Sequence, residues 1–122
     1  MSEFKGWTLS VSELNRYVDS SLKGDPVLRS LRLRGEISGF KVNTAGHWYF
    51  TLKDEGARIN CAMFRSDARR MTYRPADGDQ VLLHGYVGVY PASGSYQFVA
   101  DAIRPEGIGS LYQQFERLKK RL

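Results

Sequence analysis

Hydrophobic positions along this chain keep a helical period at first, switch to alternation, and return to a helical period at the end. Val11, Leu14, Tyr17, Val18 and Leu22 recur at three- and four-residue steps, which places them on one face of an α-helix. Ser10-Val11-Ser12-Glu13 has the form of a capping box, in which the serine and the glutamate three residues on satisfy each other's backbone amides. Gly24 before Asp25-Pro26 supplies the stop. The pattern predicts a helix packed by its apolar stripe across one end of the fold.

From Leu31 the period is two. Leu31, Leu33 and Ile37 alternate with Arg32, Arg34, Glu36 and Ser38, and Gly35 and Gly39 fall on the apolar side, where a missing side chain lets a strand bend. Phe40-Lys41 ends this strand on the outward phase. In Gly46–Asp54, Trp48, Phe50 and Leu52 point one way, and His47, Tyr49, Thr51 and Lys53 the other. Asp54-Glu55-Gly56 turns the chain into a third strand, Arg58 to Phe64, with Ile59, Cys61 and Met63 on one face and Arg58, Asn60, Ala62 and Phe64 on the other. So tight a turn makes the second and third strands an antiparallel hairpin with one shared outer surface.

Ser66 to Met71 suits a one- or two-turn helix capped by Ser66. Arg74 to Asp79 is turn chemistry. Gln80 to Tyr90 reads as a fourth strand with Val81, Leu83, Gly85, Val87 and Val89 inward, and Tyr96 to Ile103 as a fifth. Arg104 to Gly109 breaks the alternation, after which Leu111, Phe115, Leu118 and Leu122 form the seam of a last helix. That helix shows no stop signal, so it is expected to be truncated at Leu122, at the front of something longer.

The order of elements predicts an all-β fold with added helices: a five-stranded Greek-key OB barrel, with an N-terminal helix before it and a truncated C-terminal helix after it. Residues 1–29 would be a helical extension, 30–104 the barrel and 105–122 the start of a linker helix leading to an absent catalytic domain. Ligands of such barrels lie across the second and third strands. There, Tyr49 and Phe64 are candidate stacking platforms, unless a twist of the third strand turns Phe64 into the core, and Lys53, Arg58 and Arg65 are candidate phosphate contacts, with Lys41 a further candidate for nucleic-acid binding. His47 and Asn60 could hydrogen-bond bases or sugars, and Phe40, Tyr90 and Tyr96 would form the rim, the two tyrosines reading equally well as a base clamp or as a sheet-stabilising pair across their hairpin.

Charge changes this picture little. The net +5 hints at a polyanionic partner, but residues 104 to 122 alone hold five Arg/Lys against two Asp/Glu, so much of the excess is in the tail. A single cysteine, Cys61, excludes an internal disulfide and reads as a small buried hydrophobe. Neither a phosphate-binding glycine loop nor metal-ligand spacing is present, so no catalytic residue, metal or cofactor is expected. No apolar run is long enough to span a bilayer and Met1–Trp7 has no signal-like apolar core, which leaves the cytoplasm as the expected compartment.

Five strings in order carry a resemblance: Thr8–Asn15 (TLSVSELN), Arg34–Ser38 (RGEIS), Gly46–Asp54 (GHWYFTLKD), Cys61–Arg65 (CAMFR) and Phe115–Lys119 (FERLK). Together they resemble the N-terminal domain of bacterial exodeoxyribonuclease VII large subunits, from about Trp7 onward. The resemblance implies a parent nuclease that degrades single-stranded DNA from its ends to oligonucleotides, works with several copies of a small helical subunit, and needs no divalent metal. It also implies that the OB domain grips single-stranded DNA, while the catalytic and small-subunit-binding regions come later, so that these 122 residues would bind without cutting. The residues leave two alternatives open: an RNA- or tRNA-binding OB domain, and an assembly module using the C-terminal helix.

Overall fold

A computed structural model describes residues 3–106 of the chain. The order is α1 (Val11–Gly24), β1 (Leu31–Val42), β2 (Trp48–Lys53), β3 (Arg58–Met63), α2 (Arg65–Ala68), β4 (Gln80–Tyr90) and β5 (Ser95–Pro105). The strands close into a barrel in the order β1-β2-β3-β5-β4. All neighbours are antiparallel except β3 and β5, which run parallel where Cys61 meets Phe98 and Ala62 meets Val99. The expected C-terminal helix lies outside the described residues.

Alternation builds the core as the sequence implies. Trp48, Phe50 and Leu52 from β2, Cys61 and Met63 from β3, Val81, Leu83 and Val87 from β4, and Phe98, Ala100 and Ile103 from β5 converge with Ile37 inside the barrel. Long β1 serves two neighbours, pairing with β4 through Leu31–Glu36 and with β2 through Glu36–Val42. It makes that change of partner by bending. A Cβ on Gly35 would stand 2.8 Å from the Lys53 carbonyl oxygen, so only glycine admits the approach of β2. Gly39, at φ +63, sits in a register shift between Ser38 and Lys41.

That bulge reverses one expectation. Phe40 does not face outward; it is half-buried, with its ring edge-on to Trp48 at 5.3 Å and tilted against Phe50 at 6.2 Å. The extra residue advances the strand's phase by one, which turns Phe40 onto the core. Three boundaries also move. β3 ends at Met63, and Phe64 rather than Ser66 is the N-cap of α2, without a side-chain cap bond. β5 runs on through Arg104 and Pro105, which pair with Leu82 and Val81.

The N-terminal helix begins as expected. Glu13 accepts a hydrogen bond from the Ser10 amide at 2.8 Å and donates its own amide to Ser10 Oγ at 3.0 Å. Its seating is different. Val11 and Tyr17 are 76% and 66% exposed, Leu14 and Val18 are also exposed, and of the apolar stripe only Leu22 packs on the core. The barrel meets the polar residues Asn15 and Asp19 instead. The cause lies in β4: β1 pairs with it only as far as Gly85, so the remainder of that edge offers free backbone groups. The Val87 amide donates to the Leu28 carbonyl at 2.8 Å and the Val89 amide to Asp19 Oδ1 at 2.8 Å. Backbone hydrogen bonding, not apolar burial, decides which face of α1 turns inward.

Another tie holds the start of β1. His84 Nδ1 lies 2.8 Å from Asp101 Oδ1 and its Nε2 3.2 Å from Ser30 Oγ, joining β4, β5 and the residue before β1 on the outer surface. The sequence places no acid beside His84; the β4–β5 pairing does.

Candidate nucleic-acid interface

The β2–β3 register sets out the outer face rung by rung. Tyr49 stands opposite Ala62, Thr51 opposite Asn60 and Lys53 opposite Arg58. β1 adds Lys41 beside Tyr49. On the other side the parallel pairing brings the start of β5 against β3. Between these strands and the β4–β5 turn lies an open groove of about 410 Å³. Lys41, Tyr49, Asn60, Tyr90 and Tyr96 line it together, over a floor that includes Phe50 and Cys61. Burial pushes the Cys61 thiol up to about 12, which makes it an inert part of that floor.

Tyr90 and Tyr96 do not face each other across their hairpin. Tyr90 is paired with Ser95 and Tyr96 with Val89, one rung apart. Both rings are largely exposed, at 48% and 61%, and both line the groove. They are therefore available to a ligand rather than spent on each other.

The remaining expected residues fall into two groups flanking the groove. At one end, the His47 ring stands edge-on to Phe64 at 5.4 Å and to Tyr49 at 6.4 Å. The Arg65 amide donates to His47 Nδ1 at 2.9 Å, and the Arg65 side chain lies over Gly46. Phe64, 39% exposed, points away from the core because it follows the end of β3. Three rings thus lead from α2 into the groove. At the other end, Lys53 and Arg58 share one rung, and a neighbouring hollow of about 290 Å³ is lined by both and by Tyr96. Glu36 Oε2 lies 3.7 Å from Lys53 Nζ, a solvent-exposed pair of small energetic weight. Phe40 departs from its expected place at the rim, its half-buried ring packing on Trp48 and Phe50 instead.

Lining residues that went unexpected include Gln97, Ser93 and Ser95. Alternation along the fifth strand places Gln97 opposite in phase to buried Phe98, so its outward aim was readable. What could not be read was that β5 closes the barrel beside β3.

Electrostatically the groove carries Lys41 at its edge, Arg65 at one end and Lys53 and Arg58 at the other, with aromatic and amide groups between. Rings offer stacking surface to flat groups, Asn60 and Gln97 offer donors and acceptors, and the cations suit anions spaced along a chain. Among the described residues no three His, Cys, Asp or Glu side chains cluster as metal ligands.

Comparison with known proteins agrees with the fold. Residues 9–104 match the family described as "OB-fold nucleic acid binding domain". The Exodeoxyribonuclease 7 large subunit of Clostridium novyi (strain NT) is 49% identical over 94% of this chain, and the match spans 29% of that relative's length. Among solved structures, the S. pombe Stn1-ten1 complex superposes with a TM-score of 0.58 at 18% identity, covering 80% of this chain and 75% of that one. A Replication Protein A heterotrimer bound to ssDNA gives 0.53 at 15% identity, covering 75% and 67%. These two likenesses concern the fold. The chain belongs to the family of OB-fold nucleic acid binding domains, and its curated relatives are exodeoxyribonuclease VII large subunits.

Proposed function

We propose that this chain is the single-stranded DNA-gripping domain of an exodeoxyribonuclease VII large subunit. The observation that carries the reading is the groove itself: Tyr49, Tyr90 and Tyr96 present exposed rings into one open channel beside Lys41 and Asn60. Stacking on rings needs bases that are unpaired, which favours a single strand over a duplex. The relatives support DNA as the strand, since they are named as exodeoxyribonucleases.

In this reading the strand runs from the His47–Phe64 corner past Tyr49 to the Lys53–Arg58 rung, with Arg65 meeting phosphate at one end. The parent hydrolyses single-stranded DNA in the cytoplasm. The present chain spans about 29% of the length of its relative, and the chemistry belongs to the rest of the parent. The small subunit of the nuclease would likewise engage the parent outside these residues. The 122 residues alone bind without cutting.

Titration of a fluorescein-labelled single strand tests this. Salt-dependent binding is expected, with log K falling at about −0.7 per phosphate neutralised, and Tyr49→Ala combined with Tyr96→Ala should weaken it. Equal affinity for wild type and variant would move the site elsewhere. Tighter binding to RNA of the same sequence would favour an RNA-binding domain instead.

A further inference from the structure

The polar face of α1 meets the barrel where β4 and β5 turn toward the groove. Asn15 Nδ2 donates to the Pro91 carbonyl at 3.0 Å. Asp19 uses both oxygens, accepting the Val89 amide on Oδ1 at 2.8 Å and pairing through Oδ2 with Lys23 Nζ at 2.9 Å. Both backbone groups flank Tyr90 in sequence, one on each side. Across the turn, Gly94 has φ +73, and a Cβ there would stand 3.1 Å from Asn15 Oδ1. Gly88 is buried, with Asp19 Oδ1 3.3 Å from where its Cβ would be. The two side chains therefore sit against the hairpin tip at four points, and glycines leave the room for them.

We infer that Asn15 and Asp19 are positioning residues for nucleic-acid binding: they clamp the β4–β5 hairpin from behind, so that Tyr90 and Tyr96 stand over the groove before the strand arrives. The inference rests on the binding role proposed for the groove and adds to it a residue pair that touches no ligand. A two-stranded tip beyond the barrel's closure is otherwise free to flex, since β1 pairs with β4 only up to Gly85. A preformed rim spares the bound strand the cost of ordering it. The helix, an accessory of the barrel by topology, is thereby part of the binding apparatus.

Two measurements separate this role from plain structural support. In the free protein, amide exchange at Val89 should accelerate in Asp19→Ala and stay slow in Asp19→Asn, whose Oδ1 still accepts the bond. In titrations with a fluorescein-labelled oligothymidylate, Asn15→Ala plus Asp19→Ala should bind about tenfold more weakly, with Asp19→Asn alone close to wild type. The same pair of changes in a Tyr90→Ala plus Tyr96→Ala background should cost nothing further, because the clamp acts through those rings. Wild-type affinity in the double variant, or an equal loss without the tyrosines, overturns the inference while leaving the groove's role intact. Should the double variant fail to fold, Asn15→Ala alone decides, with a smaller loss expected in the same pattern. Failure of the wild type to bind any single strand sinks the binding role first, and the clamp's purpose with it.

Discussion

His47 and Phe64 meet edge to face, 5.4 Å between ring centres and 89° between planes, while the imidazole's Nδ1 accepts the amide of the next residue, Arg65. A histidine chosen for its outward aim is thus also a hinge pin between β2 and the start of α2. Under the proposed binding role, its Nε2 is the nitrogen that would meet the strand. His47→Ala should therefore cost about 1–2 kcal/mol of stability, from one lost hydrogen bond and one lost ring contact, measured by urea unfolding. A stability change within error would show that the corner holds without it.

Neighbours on one strand should behave oppositely. Phe50, 4% exposed, belongs to the core, and Phe50→Ala should destabilise by about 3–5 kcal/mol. Tyr49, 41% exposed, should cost little stability as Tyr49→Ala and lose about 1–3 kcal/mol of single-strand affinity. Melting curves and titrations on the two variants test the pair together. Similar effects in both would mean that the β2 alternation does not divide core from ligand.

Phe40 gives a sharper comparison, since it was placed at the rim by sequence and against Trp48 and Phe50 by structure. Phe40→Ala should destabilise by about 2 kcal/mol, less than a fully buried ring, with single-strand affinity nearly unchanged under folding conditions. A large affinity loss with an unchanged melting temperature would restore it to the rim.

Acid should loosen the N-terminal helix first. The Val89 amide, then Lys23, hold the Asp19 carboxyl below its ordinary value of 3.8, and the Ser10 amide and hydroxyl hold Glu13 below 4.5. A lowered folded-state value means that the unfolded chain binds the proton more readily, so these groups stabilise the fold above their ordinary values. The contribution fades as pH falls through the folded-state values. Unfolding followed from neutral pH to about 3 should show stability falling with acid, and Asp19→Asn should flatten that slope. An unchanged slope in Asp19→Asn would remove Asp19 from the acid response.

Much of the architecture was legible in local pattern. Period-two alternation assigned Trp48, Phe50 and Leu52 to the interior and Tyr49, Thr51 and Lys53 to the outside, because successive side chains of a strand must alternate. A capping box started α1 at Ser10, and a turn of Asp54, Glu55 and Gly56 made the hairpin. These are short-range rules, and they survive folding because nothing distant competes with them.

What tertiary structure decided was every matter of partnership. The bulge at Gly39 shifted the phase of Phe40, the parallel meeting of β3 with β5 brought Gln97 and Tyr96 to the groove, and the pairing of β4 with β5 gave His84 its acid. Above all, the unpaired edge of β4 drew the polar side of α1 inward and left Val11, Leu14, Tyr17 and Val18 at the surface. An amphipathic pattern states which residues would bury well. Which face does bury depends on where unsatisfied backbone amides wait, and those are created only when the barrel closes.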